Sequence, residues 1–348
     1  MKRTQKLSRQ VDKKIKNKKT KTASLYEGSD NVISTGSTLL DLAISGGRFE
    51  QGGIPTGIFA EIFGPSGSGK TVLLSQIAGN MQKQHGNIMF HDPEARLNTQ
   101  FAKMFGLDTV AIEYTIPNTV PEMFQSVRKW APKENEGDLY GVFADSLAAL
   151  STDMEMKKEV GDKMGMRRAK EFSEELRKTC RIITQQNILM VCSNQVRQNL
   201  DAGPYGQKFK SPGGEAIGFY SSLRLRCLNA QKIKVKHKIK GKDHERVVGV
   251  KVRIEVFKSS VWAPYHTADI FIIFNYGVDD IRGNLSFLKT SMGSTIYKLG
   301  DKPLGKSLNH AIKVIEEEGL EQELKERVIK LWREIEDQFQ GTRKPKMG

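Results

Sequence analysis

A glycine-rich octapeptide constrains the fold of this 348-residue chain more than any other feature. It follows an apolar run at residues 58–63 and precedes a helical pattern over 72–84. A glycine-rich turn between a buried strand and a helix exposes backbone N–H groups at the helix N-terminus, where they can bind phosphate. The segment therefore predicts a P-loop for a nucleoside triphosphate, and we expect phosphate contacts from Gly64, Pro65, Ser66, Gly67, Ser68, Gly69, Lys70 and Thr71.

The chemistry of two P-loop side chains implies ATP and Mg²⁺ as cofactors. The Lys70 ammonium would reach the β- and γ-phosphates, and the Thr71 hydroxyl would be a Mg²⁺ ligand. Asp145 ends the apolar run at 140–144, where a Walker-B carboxylate would also hold the metal. An ordinary loop aspartate is the alternative interpretation of Asp145.

Four short apolar runs, at 58–63, 87–90, 140–144 and 188–192, alternate with helical patterns. Such runs are typical of buried parallel strands in an α/β protein, whose functional side chains lie beyond the carboxyl ends of the strands. Glu94 and Asp92 both follow the second run, and either is a candidate to orient the attacking water. Gln195 follows the fourth run, where its amide could sense the γ-phosphate.

The charge balance indicates a polyanionic partner. Lys and Arg number 55 against 40 Asp and Glu, a formal net charge of +15. Nucleic acid is the leading candidate, and a basic surface that only aids solubility is the alternative.

Three scattered cysteines favour a reducing compartment, and no apolar run is long enough to cross a membrane. We therefore expect a cytoplasmic protein with no membrane partner.

Changes in composition suggest four parts: a basic N-terminal arm (1–32), a core (33–280), a small C-terminal α/β or helical domain (281–340) and a basic tail (341–348). Helical spacing in the third part predicts two helices separated at Gly319. In the core, residues 231–240 alternate with lysine at every second position, which predicts a strand with one lysine face, a turn at 241–243 and a return strand over 247–257. This face is either a DNA-binding surface or a solvated edge strand protected by charge.

An ordered set of motifs resembles the RecA recombinase family, most closely its bacterial and phage branch. The resemblance runs from about residue 33 to 277 and more weakly beyond. It implies a RecA-type P-loop ATPase core with a mostly parallel sheet flanked by helices. The motifs are Ile33-Ser-Thr-Gly-Ser37, Gly52-Gly-Ile-Pro-Thr-Gly57, Phe90-His-Asp-Pro-Glu94, Asp145-Ser-Leu-Ala-Ala-Leu150, Asn194-Gln-Val-Arg197 and Ser211-Pro-Gly-Gly214.

The resemblance implies a role for several residues of the nucleotide site. Glu94 would be the catalytic carboxylate, in preference to Asp92, and Phe101 would stack on adenine. Gln195 would couple ATP to a DNA-binding loop. Lys258 would reach the ATP of the neighbouring subunit, so that hydrolysis depends on assembly.

The resemblance also implies two DNA-binding loops, at about 157–164 and 196–210. Met164 and Leu200 would wedge between bases, while Lys170, Arg177 and Arg197 would face phosphates. Other candidate DNA-binding residues are Lys208, Lys210, Gly213, Gly214 and Arg253. The implied function is ATP-dependent pairing and strand exchange by a helical filament on single-stranded DNA. The implied partners are homologous duplex DNA, single-strand-binding proteins and mediator proteins.

This sequence departs from the family pattern at two points. Ser260 stands where bacterial relatives usually have a second lysine beyond Lys258, which weakens the charge offered to the neighbouring ATP. The tail is basic where such relatives usually have an acidic one, so an acidic restraint on duplex binding is not expected. A ring-shaped helicase-like motor and an ATP-assembled DNA-coating or mediator protein are the alternative functions.

Overall fold

The computed structural model describes residues 31–130, 139–156, 164–198, 209–210, 215–228 and 230–339. The predicted arm, except for its last two residues, and the predicted tail lie outside these residues, as does most of both predicted DNA loops. The described strands are β1 (Val32–Ile33), β2 (Ile54–Pro55), β3 (Phe59–Gly64), β4 (Asn87–His91), β5 (Glu113–Thr115), β6 (Tyr140–Ala144), β7 (Leu189–Gln195), β8 (Arg197–Gln198), β9 (Phe209–Lys210), β10 (Leu223–Cys227), β11 (Gln231–Ile239), β12 (Lys242–Ser259), β13 (Thr267–Ile273), β14 (Gly277–Val278), β15 (Tyr297–Leu299) and β16 (Lys302–Gly305).

The described helices flank these strands. They are α1 (Thr38–Ser45), α2 (Lys70–Lys83), α3 (Thr99–Met104), α4 (Val120–Trp130), α5 (Asp153–Met156), α6 (Met164–Gln185), α7 (Glu215–Tyr220), α8 (Asp280–Ser291), α9 (Leu308–Glu318) and α10 (Glu321–Phe339).

A ten-stranded sheet organises the described chain, in the order β14-β13-β12-β10-β3-β7-β6-β4-β5, with β11 joined to β12. The six strands from β10 to β5 run parallel, and β11 to β14 pair antiparallel at the other side. The four predicted apolar runs form β3, β4, β6 and β7, so the α/β prediction is confirmed. Because these strands are parallel, their carboxyl ends lie at one edge and carry Gly64, His91, Ala144 and Gln195.

Apolar packing fixes helices against the parallel strands. One core cluster joins Phe59 of β3 to Phe124 of α4 and Phe172 of α6. The two helix phenylalanines meet edge to face with ring centroids 6.3 Å apart. Burying such aromatic rings contributes about 2–3 kcal/mol each, so this cluster holds α4 and α6 in place beside the site.

The predicted lysine-rich hairpin forms, but its turn was misplaced. Ile239 pairs with Lys242, which makes Lys240 and Gly241 the two turn residues. Both have positive φ, 49° and 81°, as a tight hairpin turn requires. The return strand is also longer than predicted, because β12 continues for 18 residues into the centre of the sheet.

Beyond β14 the chain forms α8, the β15–β16 hairpin and two further helices. Gly319 ends α9 in the left-handed conformation, as its position between the two helical patterns predicted. The short β15–β16 hairpin was not predicted individually. Helix α10 contacts the core through Glu336, which accepts from His266 across 3.1 Å.

No described helix is long and apolar enough to cross a lipid bilayer.

Candidate nucleotide site and DNA-binding elements

The predicted P-loop is the turn between β3 and α2. Gly69 immediately precedes α2 with φ of 78°, a conformation that strains any residue with a side chain. A Cβ atom at Gly69 would also lie 2.3 Å from Ile272 Cδ1 of β13. Glycine is therefore favoured at this position by its backbone conformation, and a side chain there would also have to displace the flexible end of Ile272.

Lys70 opens α2 and lies almost buried within the loop. Its Nζ donates to the carbonyl oxygens of Gly64 and Pro65 across 3.1 and 2.7 Å. Burial lowers the pKa of the Lys70 ammonium, and the nearby Cys227, Asp145 and Glu94 oppose this shift. A cation held inside a loop of backbone N–H groups is well placed to contact phosphate oxygens.

Asp145, at the end of β6, lies beside the first turn of α2. The Ser193 hydroxyl and the Thr71 hydroxyl donate to its carboxylate. Burial raises the pKa of Asp145, while both hydroxyls oppose that effect. The two predicted metal ligands, Thr71 and Asp145, are thus neighbours although 74 positions separate them in sequence.

Glu94 lies at the mouth of the site with three partners. Its Oε1 accepts from Ser146 Oγ at 2.9 Å and from Gln195 Nε2 at 3.3 Å, which joins the loops that follow β4 and β6 to the last residue of β7. Its Oε2 forms an ion pair with Arg96 at 2.7 Å. Of these partners, Gln195 was a candidate site residue from the sequence, whereas Ser146 and Arg96 were missed because the sequence shows no pattern that singles them out.

Asp92, the competing carboxylate, is engaged in local structure. Its Oδ2 accepts from the Leu97 backbone N–H at 2.7 Å and from the Tyr114 hydroxyl at 2.9 Å. Burial, followed by this bond to Asp92, raises the pKa of Tyr114 to about 12. The carboxylate of Asp92 therefore ties β4 to β5, although it also borders the cleft.

A cleft of about 450 Å³ lies above the P-loop. It is lined by residues 66–72, Glu94, Asp145 and Gln195, and by Phe101 on α3. Phe101 is 41% exposed and meets Phe105 edge to face at 4.5 Å. An exposed ring at the rim of a phosphate site is available to stack on a base.

Lys258 does not line this cleft. It lies near the end of β12, where its Nζ donates to the carbonyl oxygens of Gly218 and Phe219 across 2.8 and 3.0 Å. Burial lowers the pKa of Lys258, and the charge of Arg224 adds to this effect. Within one chain, therefore, Lys258 is separate from the nucleotide cleft.

The predicted DNA-binding residues are only partly described. Lys170 and Arg177 are exposed on α6, and a spacing of seven places them on one face of the helix. Arg253 is exposed but forms a bidentate ion pair with Asp269. For Met164, Arg197 and Lys210 only the backbone is described. Four more predicted DNA-binding residues lie outside the described chain: Leu200, Lys208, Gly213 and Gly214.

The pairing of β8 with β9 brings the two ends of predicted DNA loop two together. Arg197 lies opposite Lys210, and Gln198 lies opposite Phe209. Only Val196 separates Gln195, at the end of β7, from the first residue of β8. Gln195 is therefore only two residues from the base of this loop, so a movement of its side chain would occur close to the loop.

A parallel sheet that carries a P-loop, with acidic and amide side chains at the same edge, defines a P-loop ATPase of the α/β class. The RecA N-terminal domain family model matches residues 6–279. The chain is 31% identical to Protein RecA of Borrelia hermsii, covering 86% of this chain and 81% of the relative. It is 34% identical to Protein RecA of Thermus aquaticus, covering 72% of this chain and 69% of that relative.

The chain belongs to the RecA family. It is accordingly an ATP-dependent DNA recombinase: a DNA-dependent ATPase that forms a filament and exchanges strands between single-stranded and duplex DNA.

Proposed function

We propose that this chain performs ATP-dependent strand exchange with Glu94 as the catalytic carboxylate, Gln195 as the nucleotide sensor and Lys258 as the residue that acts on the neighbouring subunit's ATP. The observation that carries this proposal is the convergence of Glu94, Ser146 and Gln195 at the mouth of the P-loop cleft. Carboxylate and amide groups at this point can orient a water molecule toward a terminal phosphate.

Glu94 fits the catalytic role better than Asp92 because its three partners, Ser146, Gln195 and Arg96, themselves border the nucleotide cleft. Glu94 is held by side chains that line the cleft, including Ser146 and Gln195. Asp92 is instead 2% exposed and accepts from the backbone of Leu97 and from Tyr114. A carboxylate that already holds two strands together cannot turn toward water without breaking those bonds.

Lys70 binds the β- and γ-phosphates in this proposal, exchanging its bonds to Gly64 and Pro65 for phosphate oxygens. Thr71 and Asp145 would hold Mg²⁺, because adjacent hydroxyl and carboxylate oxygens are the hard ligands that this ion prefers. The ion would supply positive charge that neutralises the phosphates. Phe101 would stack on the adenine ring.

Gln195 couples the nucleotide to DNA in this proposal. Its amide now donates to the Glu94 carboxylate, and a terminal phosphate in the cleft would offer a competing acceptor with more negative charge. Because Gln195 is followed after one residue by β8, its movement would reposition loop two. Arg197, Leu200, Lys208, Lys210, Gly213 and Gly214 would then contact single-stranded DNA together with Met164, Lys170 and Arg177.

Lys258 completes the active site of the adjacent subunit in this proposal. The carbonyl oxygens of Gly218 and Phe219 now hold its ammonium, away from the chain's own cleft. The exposed Ser260 adds no charge beside it. We therefore expect the hydrolysis rate to depend on Lys258 alone at this position of the subunit interface.

We further propose a basic arm over 1–32, a core over 33–280, a C-terminal domain over 281–340 and a basic tail over 341–348. Support comes from β14, which ends the large sheet at Val278 just before α8 begins.

Arg253 would hold incoming or displaced DNA. Single-strand-binding and mediator proteins are proposed partners, and the three free cysteines suit action in the cytoplasm.

The decisive experiment measures ATP hydrolysis with and without single-stranded DNA for the parent and for Glu94→Gln. We expect strong stimulation in the parent, and a loss of at least about 100-fold in the variant while single-stranded DNA is still bound. Asp92→Asn is the matched control, and it should keep DNA-stimulated hydrolysis even if its folding is weakened. A parent that DNA does not stimulate, or an Asp92→Asn protein as inactive as Glu94→Gln, would contradict the proposal.

A further inference from the structure

Arg96 places a second positive charge at the nucleotide cleft. Of the described residues that line this cleft, Lys70 and Arg96 are basic, whereas Asp92, Glu94 and Asp145 are acidic. Lys70 is buried within the P-loop. The side chain of Arg96 is instead 78% exposed, against 18% for its partner Glu94. Arg96 is therefore the cation of the cleft that is free to change its position.

In the nucleotide-free structure Arg96 occupies one oxygen of the Glu94 carboxylate. Its Nη1 lies 2.7 Å from Glu94 Oε2, while Oε1 accepts from Ser146 and Gln195. Each carboxylate oxygen thus already has a protein donor. Departure of Arg96 would leave Oε2 without a partner among the described residues, and therefore available to orient an attacking water molecule.

A tight turn directs Glu94 and Arg96 into the same cleft. Ala95, the residue between them, has a φ of 52°, which is unfavourable for a residue with a Cβ atom. The backbone N–H of Ala95 donates to the Asp92 carbonyl oxygen at 2.9 Å, and that of Leu97 donates to Asp92 Oδ2 at 2.7 Å. Asp92 thus holds the turn on both sides of Arg96.

The chemistry of the guanidinium group suits a phosphate better than an exposed carboxylate. Arginine offers five N–H donors in a planar fork that matches two phosphate oxygens at once. An ion pair with an exposed partner contributes little to stability, so Arg96 can leave Glu94 at small cost. The terminal phosphate of ATP carries more negative charge than one carboxylate and would attract the guanidinium more strongly.

We propose that Arg96 binds the terminal phosphate of the ATP in its own subunit and releases Glu94 as it does so. The proposal rests on the proposed role of Glu94, because a water molecule oriented by that carboxylate lies between it and the phosphate. Two hydrogen bonds span about 6 Å, a distance that a long, exposed arginine side chain can cross. Arg96 then supplies from within the subunit a charge that Ser260 does not supply from the neighbour.

The test compares the affinities of the parent, Arg96→Ala and Arg96→Lys for ADP and for a slowly hydrolysed ATP analogue. Full-length protein is titrated with Mg²⁺ present and DNA absent, in competition with a fluorescent nucleotide. The matched control is Lys313→Ala, which breaks a similarly exposed ion pair with Glu317 on α9. Lys313 does not line the cleft.

We expect Arg96→Ala to bind the ATP analogue roughly tenfold or more weakly, because a charge-assisted bond to phosphate is lost. Its affinity for ADP should stay within about twofold of the parent, because ADP lacks the terminal phosphate. Arg96→Lys should lie between the two, because lysine keeps the charge but not the fork. Lys313→Ala should match the parent for both nucleotides.

Two results would overturn the proposal. Equal losses for ADP and the ATP analogue would place Arg96 against the adenosine or the inner phosphates. Unchanged affinities for both nucleotides would leave only a surface ion pair. Because Arg96 is exposed, the thermal midpoint should change little, so a binding defect in Arg96→Ala is distinguishable from misfolding.

A second background separates direct contact from an effect through Glu94. In Glu94→Gln the ion pair is already lost, and adding Arg96→Ala should weaken binding of the ATP analogue at least as much as in the parent. Disappearance of the effect in that background would show that Arg96 acts only by holding Glu94, which contradicts direct contact with phosphate.

Hydrolysis provides an independent readout. At saturating ATP and single-stranded DNA, Arg96→Ala should lower kcat by about 10- to 100-fold, as expected for the loss of one group that stabilises phosphate charge. Failure of the proposed function would look different: hydrolysis would not respond to DNA, or would survive Glu94→Gln. The nucleotide affinities, measured without DNA, would still report on Arg96.

Discussion

The side-chain amide of Gln195 donates to the Glu94 carboxylate across 3.3 Å, joining the end of β7 to the loop after β4. This bond places the proposed sensor and the proposed catalytic group in direct contact. A phosphate that attracts the amide would therefore release Glu94 at the same moment as it moves the base of loop two. In the proposed mechanism, nucleotide sensing by Gln195 and release of the Glu94 carboxylate would be one event.

Changing Gln195 to Ala should uncouple DNA binding from the nucleotide. Without an amide to follow the γ-phosphate, affinity for single-stranded DNA should become nearly equal with ADP and with an ATP analogue. ATP itself should still bind, because Lys70 and the P-loop are intact. Paired titrations of DNA and of a fluorescent nucleotide test this, and a persistent difference between ADP and ATP analogue would argue against Gln195 as the sensor.

Changing Phe101 to Ala should weaken ATP binding about three- to tenfold by removing the ring proposed to stack on adenine. Phe101→Tyr should bind ATP like the parent because stacking requires only the ring. Equilibrium binding of a fluorescent ATP analogue measures both. If Ala and Tyr have equal affinities, adenine does not lie against this side chain.

Glu61 provides a test of the buried polar network beneath the site. It is fully buried, pairs with Arg224 at 2.6 Å and accepts from Asn194 at 2.9 Å. Glu61→Gln leaves the Arg224 charge without its counter-ion, which should lower the free energy of unfolding by about 3–5 kcal/mol. Urea denaturation measures this change.

The comparison for Glu61 is Glu255→Gln, which breaks the more exposed pair with Arg226. That variant should lose less than about 1 kcal/mol. Equal losses in the two variants would mean that burial does not set the importance of the Glu61 pair.

Asp41 should make stability depend on pH. It is buried, accepts from Ser34 Oγ at 2.5 Å and Thr35 Oγ1 at 2.6 Å, and burial raises its pKa to about 7 from an ordinary 3.8. Between these values the unfolded chain releases a proton that the folded chain keeps, so the free energy of unfolding falls as pH rises. The resulting loss in the free energy of unfolding is roughly 4 kcal/mol, and it is complete above pH 7.

Asp41→Asn removes this titration while keeping the shape of the side chain. Its stability should therefore fall less than that of the parent between pH 4 and pH 7, as measured by urea denaturation at several pH values. Parallel pH profiles for the two proteins would show that Asp41 keeps its ordinary pKa.

The sequence was most informative where the signal is local. Runs of apolar residues predicted β3, β4, β6 and β7, and the glycine pattern predicted the P-loop turn. The partners of Glu94 and Asp92 were not predictable, because they depend on which strands become neighbours. Ser146 and Tyr114 reach their partners only because β4 lies between β6 and β5. The hairpin turn was misplaced because Lys240 adopts a positive φ that sequence pattern does not favour.

The length of β12 has a consequence for any polymer of this chain. Val250 borders the chain's own nucleotide cleft, and Lys258, proposed to touch the neighbour's ATP, lies eight residues along the same strand. Eight residues of extended chain span about 27 Å, and pairing with β10 and β13 prevents this length from changing. The fixed length of this one strand would then set the distance between successive ATP molecules. Subunits could tilt or twist while the spacing between active sites stayed constant.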